Sequence, residues 1–250
     1  MNVDIMPGCE PLSFAGSESG VLVLHGFTGN PSSMRSIAER AAATGYTVEL
    51  PRLPGHGTTI EDMMTTTWDD WSAAALYAYD ELAERCERVA IVGLSMGGGL
   101  TAFIAEQRPF VAGCVFINPL VKSPAPGMEE ALNEMLETGV ESIASIGSDI
   151  KKEGVLEASY AATPLRCVVS LITGANGIES KLSDIVAPSL LISSREDHVV
   201  TSDNGDAIVD QSSGPVERIW LEESFHVATL DNDKELLESA TMEFLAKVLA

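Results

Sequence analysis

The chain has 250 residues, 45% hydrophobic and 21% charged, enough for one large domain or one domain carrying an insertion. Its 37 acidic residues against 15 basic ones give a formal net charge of −22, which argues against a nucleic-acid partner and against adhesion to an anionic membrane surface, since both need Lys and Arg clusters. The first ten residues hold no basic segment and no long apolar run, so neither a signal peptide nor a membrane span is expected, and four widely spaced cysteines (Cys9, Cys86, Cys114, Cys167) without a C-x-x-C read as reduced thiols of a cytoplasmic protein.

In chain order the pattern alternates strand and helix, which predicts a parallel sheet covered on both faces. Gly20 to Leu24 reads as the first strand. It breaks at His25-Gly26-Phe27-Thr28-Gly29-Asn30-Pro31, and a helix is expected from Ser32 to Thr44 with Gly45 as its stop. Tyr46 to Leu50 is the next strand. A loop rich in Pro and Gly follows, then a helix over Trp68 to Cys86 with Trp68, Trp71, Ala75, Leu76 and Tyr79 inward.

Residues 89 to 100 carry the motif around which the rest is ordered. Val89-Ala-Ile-Val is the apolar run of a strand buried on both faces, and Gly93-Leu94-Ser95-Met96-Gly97 is a G-x-S-x-G. Leu100 to Ala105 continue as a helix. Strand, sharp turn with Ser at its apex, then helix is the context in which this motif presents a nucleophile. The other reading of the pentapeptide is an ordinary Gly-rich strand-to-helix turn.

Val111 to Asn118 is a further strand, closed by Pro119. From about Val121 to Ser183 the alternation lapses and no strand is evident. Met128 to Thr138 places Met128, Leu132, Met135 and Leu136 on one helical face and Glu129, Glu130, Glu134 and Glu137 on the other, and Ile143, Ile146 and Ile150 repeat at helical spacing. The expectation is an insertion of small helices over residues 121–183, a cap on a core formed by residues 1–120 and 184–250; connecting helices without a binding role are the alternative. Strands resume at Ser189 to Ser193 and Glu217 to Leu221. A helix lies between them at Asn204 to Gln211, and a closing amphipathic helix runs from Lys234 to Leu249.

A serine hydroxyl needs a base within hydrogen-bond reach, and the base needs an orienting carboxylate. In such a sheet these groups gather past the carboxyl ends of the strands. The acid candidate is Asp197, in the loop leaving the strand at 189–193, with Glu196 and Asp203 as rivals. The base candidate is His226, just past the strand at 217–221. His198 adjoins Asp197 and neighbours on a loop seldom face each other, while His25 and His56 sit in Gly-flanked loops suited to structural hydrogen bonds. The order Ser95, Asp197, His226 is the nucleophile–acid–base order of this arrangement. Two donors for an oxyanion are expected from the backbone N–H groups of Met96 and Phe27. No cluster has metal-ligand spacing.

Together these residues resemble the α/β-hydrolase superfamily, and within it the small bacterial carboxylesterases and monoacylglycerol lipases. The resemblance rests on Leu24-His-Gly-Phe-Thr-Gly, Leu53-Pro-Gly-His-Gly, Gly93-Leu-Ser-Met-Gly-Gly, Glu196-Asp-His-Val-Val and Phe225-His-Val-Ala-Thr-Leu-Asp, which span residues 20 to 233. It implies an α/β-hydrolase fold, with a mostly parallel central sheet flanked by helices and a small helical cap inserted after the strand that follows the nucleophile helix. It also implies hydrolysis of a carboxylic ester or monoacylglycerol through an acyl-enzyme on Ser95, without metal or organic cofactor, by a monomer or homodimer not integral to a membrane. The His-Gly-Phe oxyanion loop fits unbranched acyl chains of short to medium length. Ser145-Ile-Gly-Ser-Asp-Ile-Lys-Lys resembles the cap of the bacterial monoacylglycerol lipases. By that resemblance Ile146 lines the acyl pocket and Glu157 holds the polar glycerol head. The early start of the sheet implies that the outer antiparallel strands are reduced or absent, and Gly99 after Gly97-Gly98 is unusually permissive for a helix start. Thioester hydrolysis, acyl transfer, carbon–carbon bond hydrolysis or ligand binding without turnover are the rival functions of the same triad. Ser95 stands where a dehalogenase would carry Asp.

Overall fold

The structure is a computed structural model that describes residues 3–122, 127–145 and 148–250. Its elements in chain order are β1 (Leu12–Phe14), β2 (Ser19–Leu24), α1 (Pro31–Ala43), β3 (Thr47–Leu50), α2 (Ile60–Met63), α3 (Trp68–Ala83), β4 (Arg88–Leu94), α4 (Met96–Gln107), β5 (Gly113–Ile117), α5 (Met128–Glu137), β6 (Ser142–Ala144), β7 (Ala162–Pro164), α6 (Leu165–Glu179), β8 (Ser189–Ser194), α7 (Asp203–Gln211), β9 (Val216–Leu221) and α8 (Lys234–Val248). Seven strands form one sheet in the order β1-β3-β2-β4-β5-β8-β9. Only β1 runs antiparallel to its neighbour; the other pairings are parallel.

The apolar runs become the central strands because those strands are covered on both faces. All residues of β5 and β8 are buried, as are all but the first of β2 and β4. Alternate residues feed two cores. Leu22, Leu24, Ile91, Phe116 and Leu191 pack with Trp71, Leu100 and Ile208 on one face, and Val21, Val23, Val92, Val115 and Ile192 pack with Met34, Ile37, Leu237 and Phe244 on the other. So α3, α4 and α7 cover one side, α1 and α8 the other. Local signals set the helix ends. The Asn30 side chain accepts the Ser32 N–H at the start of α1, followed by Pro31 in the first turn, and Gly45 at φ 99° lies just past its end.

Register aligns the carboxyl ends. Leu24 pairs with Gly93, Leu94 with Ile117, Ile117 with Ile192, and Ser194 with Leu221. The loops carrying Phe27, Ser95, Asp197 and His226 therefore leave the sheet along one edge.

Three features differ from the sequence expectations. A three-residue antiparallel strand, β1, precedes the strand read as first. The segment read as free of strands contains β6 and β7, which pair as a small antiparallel sheet through Ser142–Pro164, Ile143–Thr163 and Ala144–Ala162. Ile143 thus belongs to a strand, and Ile150 packs against the main core on the α1/α8 side instead of continuing a helix. Beyond β7 the apolar run from Leu165 is the start of the 15-residue α6, whose inner face buries Leu171, Ala175 and Ile178. α5 packs on α6, and α6 on α3 and α4. α5 has no buried residue, and Met128 of its predicted apolar face is exposed.

Candidate active site

Ser95 links β4 to α4 at φ 57°, ψ −119°, backbone that an L-residue adopts only under strain. Its surroundings explain the flanking glycines. A Cβ on Gly93 would lie 2.1 Å from the Gly97 carbonyl oxygen, and one on Gly97 would lie 2.2 Å from that of Leu24. The run continues through Gly98 and Gly99 because the chain leaving β5 presses on the helix start: a Cβ on Gly99 would meet the Leu120 oxygen at 2.5 Å. The turn is tied down by Ser95 N–H to the Ile117 carbonyl (3.0 Å) and by Gly99 and Leu120 N–H to the Ser95 carbonyl (3.1 Å each). Ser95 itself stays partly exposed.

The loop after β2 passes directly beside it. A Cβ on Gly26 would stand 3.3 Å from Ser95 Cβ and 3.8 Å from its Oγ. Met96 opens α4, so its N–H is among those a helix leaves without an internal partner. Among the described residues neither that N–H nor the Phe27 N–H meets an acceptor. His25 Nε2 accepts the Leu53 N–H at 3.1 Å, which puts the proton on Nδ1, and Nδ1 donates to the Gly26 carbonyl at 2.9 Å. Because the C=O and N–H of one trans peptide point in opposite directions, anchoring the Gly26 carbonyl aims the Phe27 N–H the other way. Burial, then the neighbouring His56, push His25 down to about 3, so it stays neutral with this tautomer fixed. The Phe27 ring centroid lies 5.6 Å from that of Trp71.

His226 Nδ1 lies 2.8 Å from Asp197 Oδ2, with both side chains at least nine-tenths buried. Asp197 Oδ1 accepts the N–H groups of Val199 (2.9 Å) and Val200 (2.8 Å), which fixes the carboxylate from its own loop. Neither rival acid is turned this way. Glu196 pairs with Lys151 at 3.4 Å, and Asp203 pairs with Lys122 at 2.7 Å. His198 faces Asp149, not Asp197.

Glu157 Oε1 would be 2.8 Å from a Cβ on Gly29, so the carboxyl lies against the loop that carries Phe27. Burial raises its pKa, opposed by the charge of His226 and by a hydrogen bond from Ser33. Its segment is held by Asn30 Nδ2 donating to the Ala158 carbonyl, by Tyr160 Oη donating to the Gly55 carbonyl (2.5 Å), and by Glu157 N–H donating to Ser148 Oγ (2.7 Å). Ile146 lies outside the described residues. No group of three or more His, Cys, Asp or Glu among the described residues has the arrangement of a metal site.

Residues 21–238 match the model of the alpha/beta hydrolase family. The chain belongs to the alpha/beta hydrolase family. As an alpha/beta hydrolase it is 43% identical to a thermostable monoacylglycerol lipase of Bacillus sp. (strain H-257), over 97% of this chain and 96% of that one. It is 28% identical to a carboxylesterase of Bacillus subtilis (strain 168), over 96% of this chain and 97% of that one. A solved structure from work on two metagenome-derived lipolytic enzymes, LipS and LipT, superposes with a TM-score of 0.93 at 46% identity, covering 98% of this chain and all of the other. As in any such hydrolase, the sheet edge brings together groups far apart in sequence, and several were not read from it. Asn118, at φ 41°, donates from Nδ2 to the His226 carbonyl (2.8 Å) and accepts the Ser194 N–H (2.8 Å), joining the ends of β5 and β8 to the base loop. Asp231 accepts the Phe225 N–H at 2.8 Å. The sequence signal for Asn118 was its place between a strand end and Pro119, and that for Asp231 its place at the end of the Phe225-His-Val-Ala-Thr-Leu-Asp block.

Among the described residues no helix is long and apolar enough to cross a membrane.

Proposed function

We propose that this alpha/beta hydrolase is a serine ester hydrolase that cleaves short- to medium-chain acyl esters, monoacylglycerols among them, through an acyl-enzyme on Ser95. The observation that carries the reading is the buried 2.8 Å contact of His226 with Asp197 on the sheet edge that also presents Ser95 in its strained turn. The likeness to a monoacylglycerol lipase and a carboxylesterase supports the substrate class.

In this reading His226 takes the Ser95 hydroxyl proton at Nε2 as Oγ attacks the ester carbonyl carbon. The carbonyl oxygen becomes an oxyanion that accepts from the Phe27 and Met96 N–H groups. The C–O bond to the alcohol breaks, and His226 returns the proton to the leaving oxygen. Water then enters, gives a proton to His226 and attacks the acyl carbon; collapse releases the carboxylic acid and reprotonates Ser95. Asp197 holds the imidazole with Nε2 toward Ser95 and stabilises the imidazolium. Residues 121–183 act as the cap over the core of 1–120 and 184–250, with Ile146 on the acyl side and Glu157 toward the glycerol head. The four buried, unpaired cysteines fit a reducing cytoplasm, and the protein works there as a monomer or homodimer.

Initial rates on p-nitrophenyl esters from acetyl to palmitoyl, 1-monoacylglycerols of the same lengths and an acyl-CoA, with Ser95→Ala alongside, test the reading. Preference for medium-chain monoacylglycerols is expected. Turnover of the acyl-CoA alone, or turnover by Ser95→Ala, overturns it.

A further inference from the structure

The segment Ser148–Lys152 crosses the carboxyl edge of the sheet between the loops that bear Asp197 and His226, and Asp149 touches both. Its Oδ2 accepts the His226 backbone N–H at 3.1 Å and the His198 backbone N–H at 3.2 Å, while Oδ1 lies 2.8 Å from His198 Nδ1. The Asp149 carbonyl accepts the Val227 N–H at 3.1 Å. The side chain is 12% exposed. These partners are 49 and 77 residues away in sequence. Immediately downstream, the Lys151 and Lys152 N–H groups donate to Asp231 at 2.7 and 2.8 Å, and the same carboxylate accepts from Phe225. The surrounding ion pairs of Lys151 with Glu196 and Glu223 are solvent-exposed and add little.

We propose that Asp149 is a positioning residue for the base–acid pair: by binding the amide of His226 and the amide next to Asp197 with one oxygen, it sets the separation of the two loops. The proposal rests on the reading of Ser95, His226 and Asp197 as the triad. Asp197 and His226 arrive on separate loops, so their alignment depends on how those loops sit relative to one another. Misplacing a reacting group by 1 Å costs about 100-fold in rate. A bridge that acts through the imidazole is felt when the proton moves, so its loss falls on kcat and not on KM.

The test compares wild type, Asp149→Ala, Asp149→Asn and Ser95→Ala of the full chain, with kcat and KM on p-nitrophenyl butyrate and a thermal melt of each. Asp149→Ala is expected to lower kcat at least tenfold with KM within threefold. Asp149→Asn keeps an amide oxygen for the two backbone N–H groups and turns its nitrogen to the exposed His198 ring, so kcat should return to within threefold of wild type. If Asp149→Ala does not fold, Asp149→Ser, too short to reach both amides, takes its place with the same expected loss. A folded Asp149→Ala or Asp149→Ser with wild-type kcat, or an Asn variant as slow as either, overturns the proposal. Turnover by Ser95→Ala would instead sink the triad reading; a dead Ser95→Ala beside a fully active Asp149→Ala sinks only the role of Asp149.

Discussion

His226 Nδ1 and Asp197 Oδ2 stand 2.8 Å apart with both side chains nearly closed to solvent, and no other carboxylate is bonded to that imidazole among the described residues. The contact ties the loop after β8 to the loop after β9. Of the three acids that the sequence offered between 196 and 203, Asp197 is the one bonded to His226, while Glu196 and Asp203 pair with Lys151 and Lys122.

Asp197→Asn should therefore lower kcat on p-nitrophenyl butyrate about 10³- to 10⁴-fold, because an amide can hold His226 in the wrong tautomer. Glu196→Gln and Asp203→Asn should stay within about threefold of wild type, since Glu196 loses a surface ion pair with Lys151, and Asp203 one with Lys122 while an amide oxygen can still accept from Thr201. A loss at Asp203 matching that at Asp197 would move the acid.

The turn at Ser95 couples activity to instability. A residue held at φ 57° stores about 1 kcal/mol or more. Ser95→Gly removes both the nucleophile and the Cβ penalty. Turnover should fall by at least about 10⁴-fold, while the melting temperature rises by about 2–4 °C. The neighbouring glycine behaves in the opposite sense: Gly97→Ala pushes a methyl to 2.2 Å from the Leu24 carbonyl oxygen and should destabilise by about 3 kcal/mol or more. Calorimetry of the two variants checks both signs, and a Ser95→Gly variant that melts below wild type would remove the claim of strain.

Two buried histidines and one half-buried carboxyl give stability opposing pH dependences. His25 and His56 are fully buried with ring centroids 5.1 Å apart, held at about 3 and about 4 chiefly by burial. Below the ordinary value of 6.5 the unfolded chain takes up protons that the fold refuses, so stability falls as pH drops from 6.5 toward 3. The slope is at most about 1.4 kcal/mol per pH unit for each histidine. Glu106, near the end of α4, is raised to about 8 by burial, and its Oε1 is buried without a hydrogen-bond partner among the described residues. Between 4.5 and 8 the fold keeps a proton there that the unfolded chain has lost, so stability falls as pH rises. Glu106→Gln should raise the melting temperature at pH 8 and leave it unchanged at pH 4. Equal melting temperatures at pH 8 would show that Glu106 is solvated.

The fold was legible where one physical signal dominated. Strands covered on both faces are unbroken apolar runs, and β2, β4, β5 and β8 were read to within a few residues. β1, β6 and β7 were not, because three residues are too few to display a period of two, and Ile143 and Ile150, neither of them in a helix, stand at a helix-like spacing by chance. For the site, chain order picked out Ser95, Asp197 and His226 as candidates, and the structure places Asp197 against His226 and Ser95 in the turn between β4 and α4. The bonds of Asn118, Asp149 and Asp231 were not legible, although Asp149 and Asp231 lie in the quoted blocks, since each joins backbone groups tens of residues away and no residue-type pattern announces such contacts.

In the proposed reading Glu157 binds the head group and takes no part in the chemistry. Its carboxyl lies beside Gly29 and within electrostatic reach of His226, in an environment that disfavours its charge. A hydrogen bond from a glycerol hydroxyl to this group is worth about 1.5–3 kcal/mol, so Glu157→Ala should raise KM for a medium-chain 1-monoacylglycerol about tenfold or more. The same variant should leave p-nitrophenyl butyrate, which has no hydroxyl to offer, within about threefold. Glu157→Gln keeps an acceptor in place and should lose less than Glu157→Ala on the monoacylglycerol. Steady-state kinetics on the two substrates decides the matter. An equal fall in kcat on both would mean that Glu157 acts through the His226 imidazole rather than on the alcohol of the substrate, and the polar side of the pocket would then have to be sought elsewhere along 148–160.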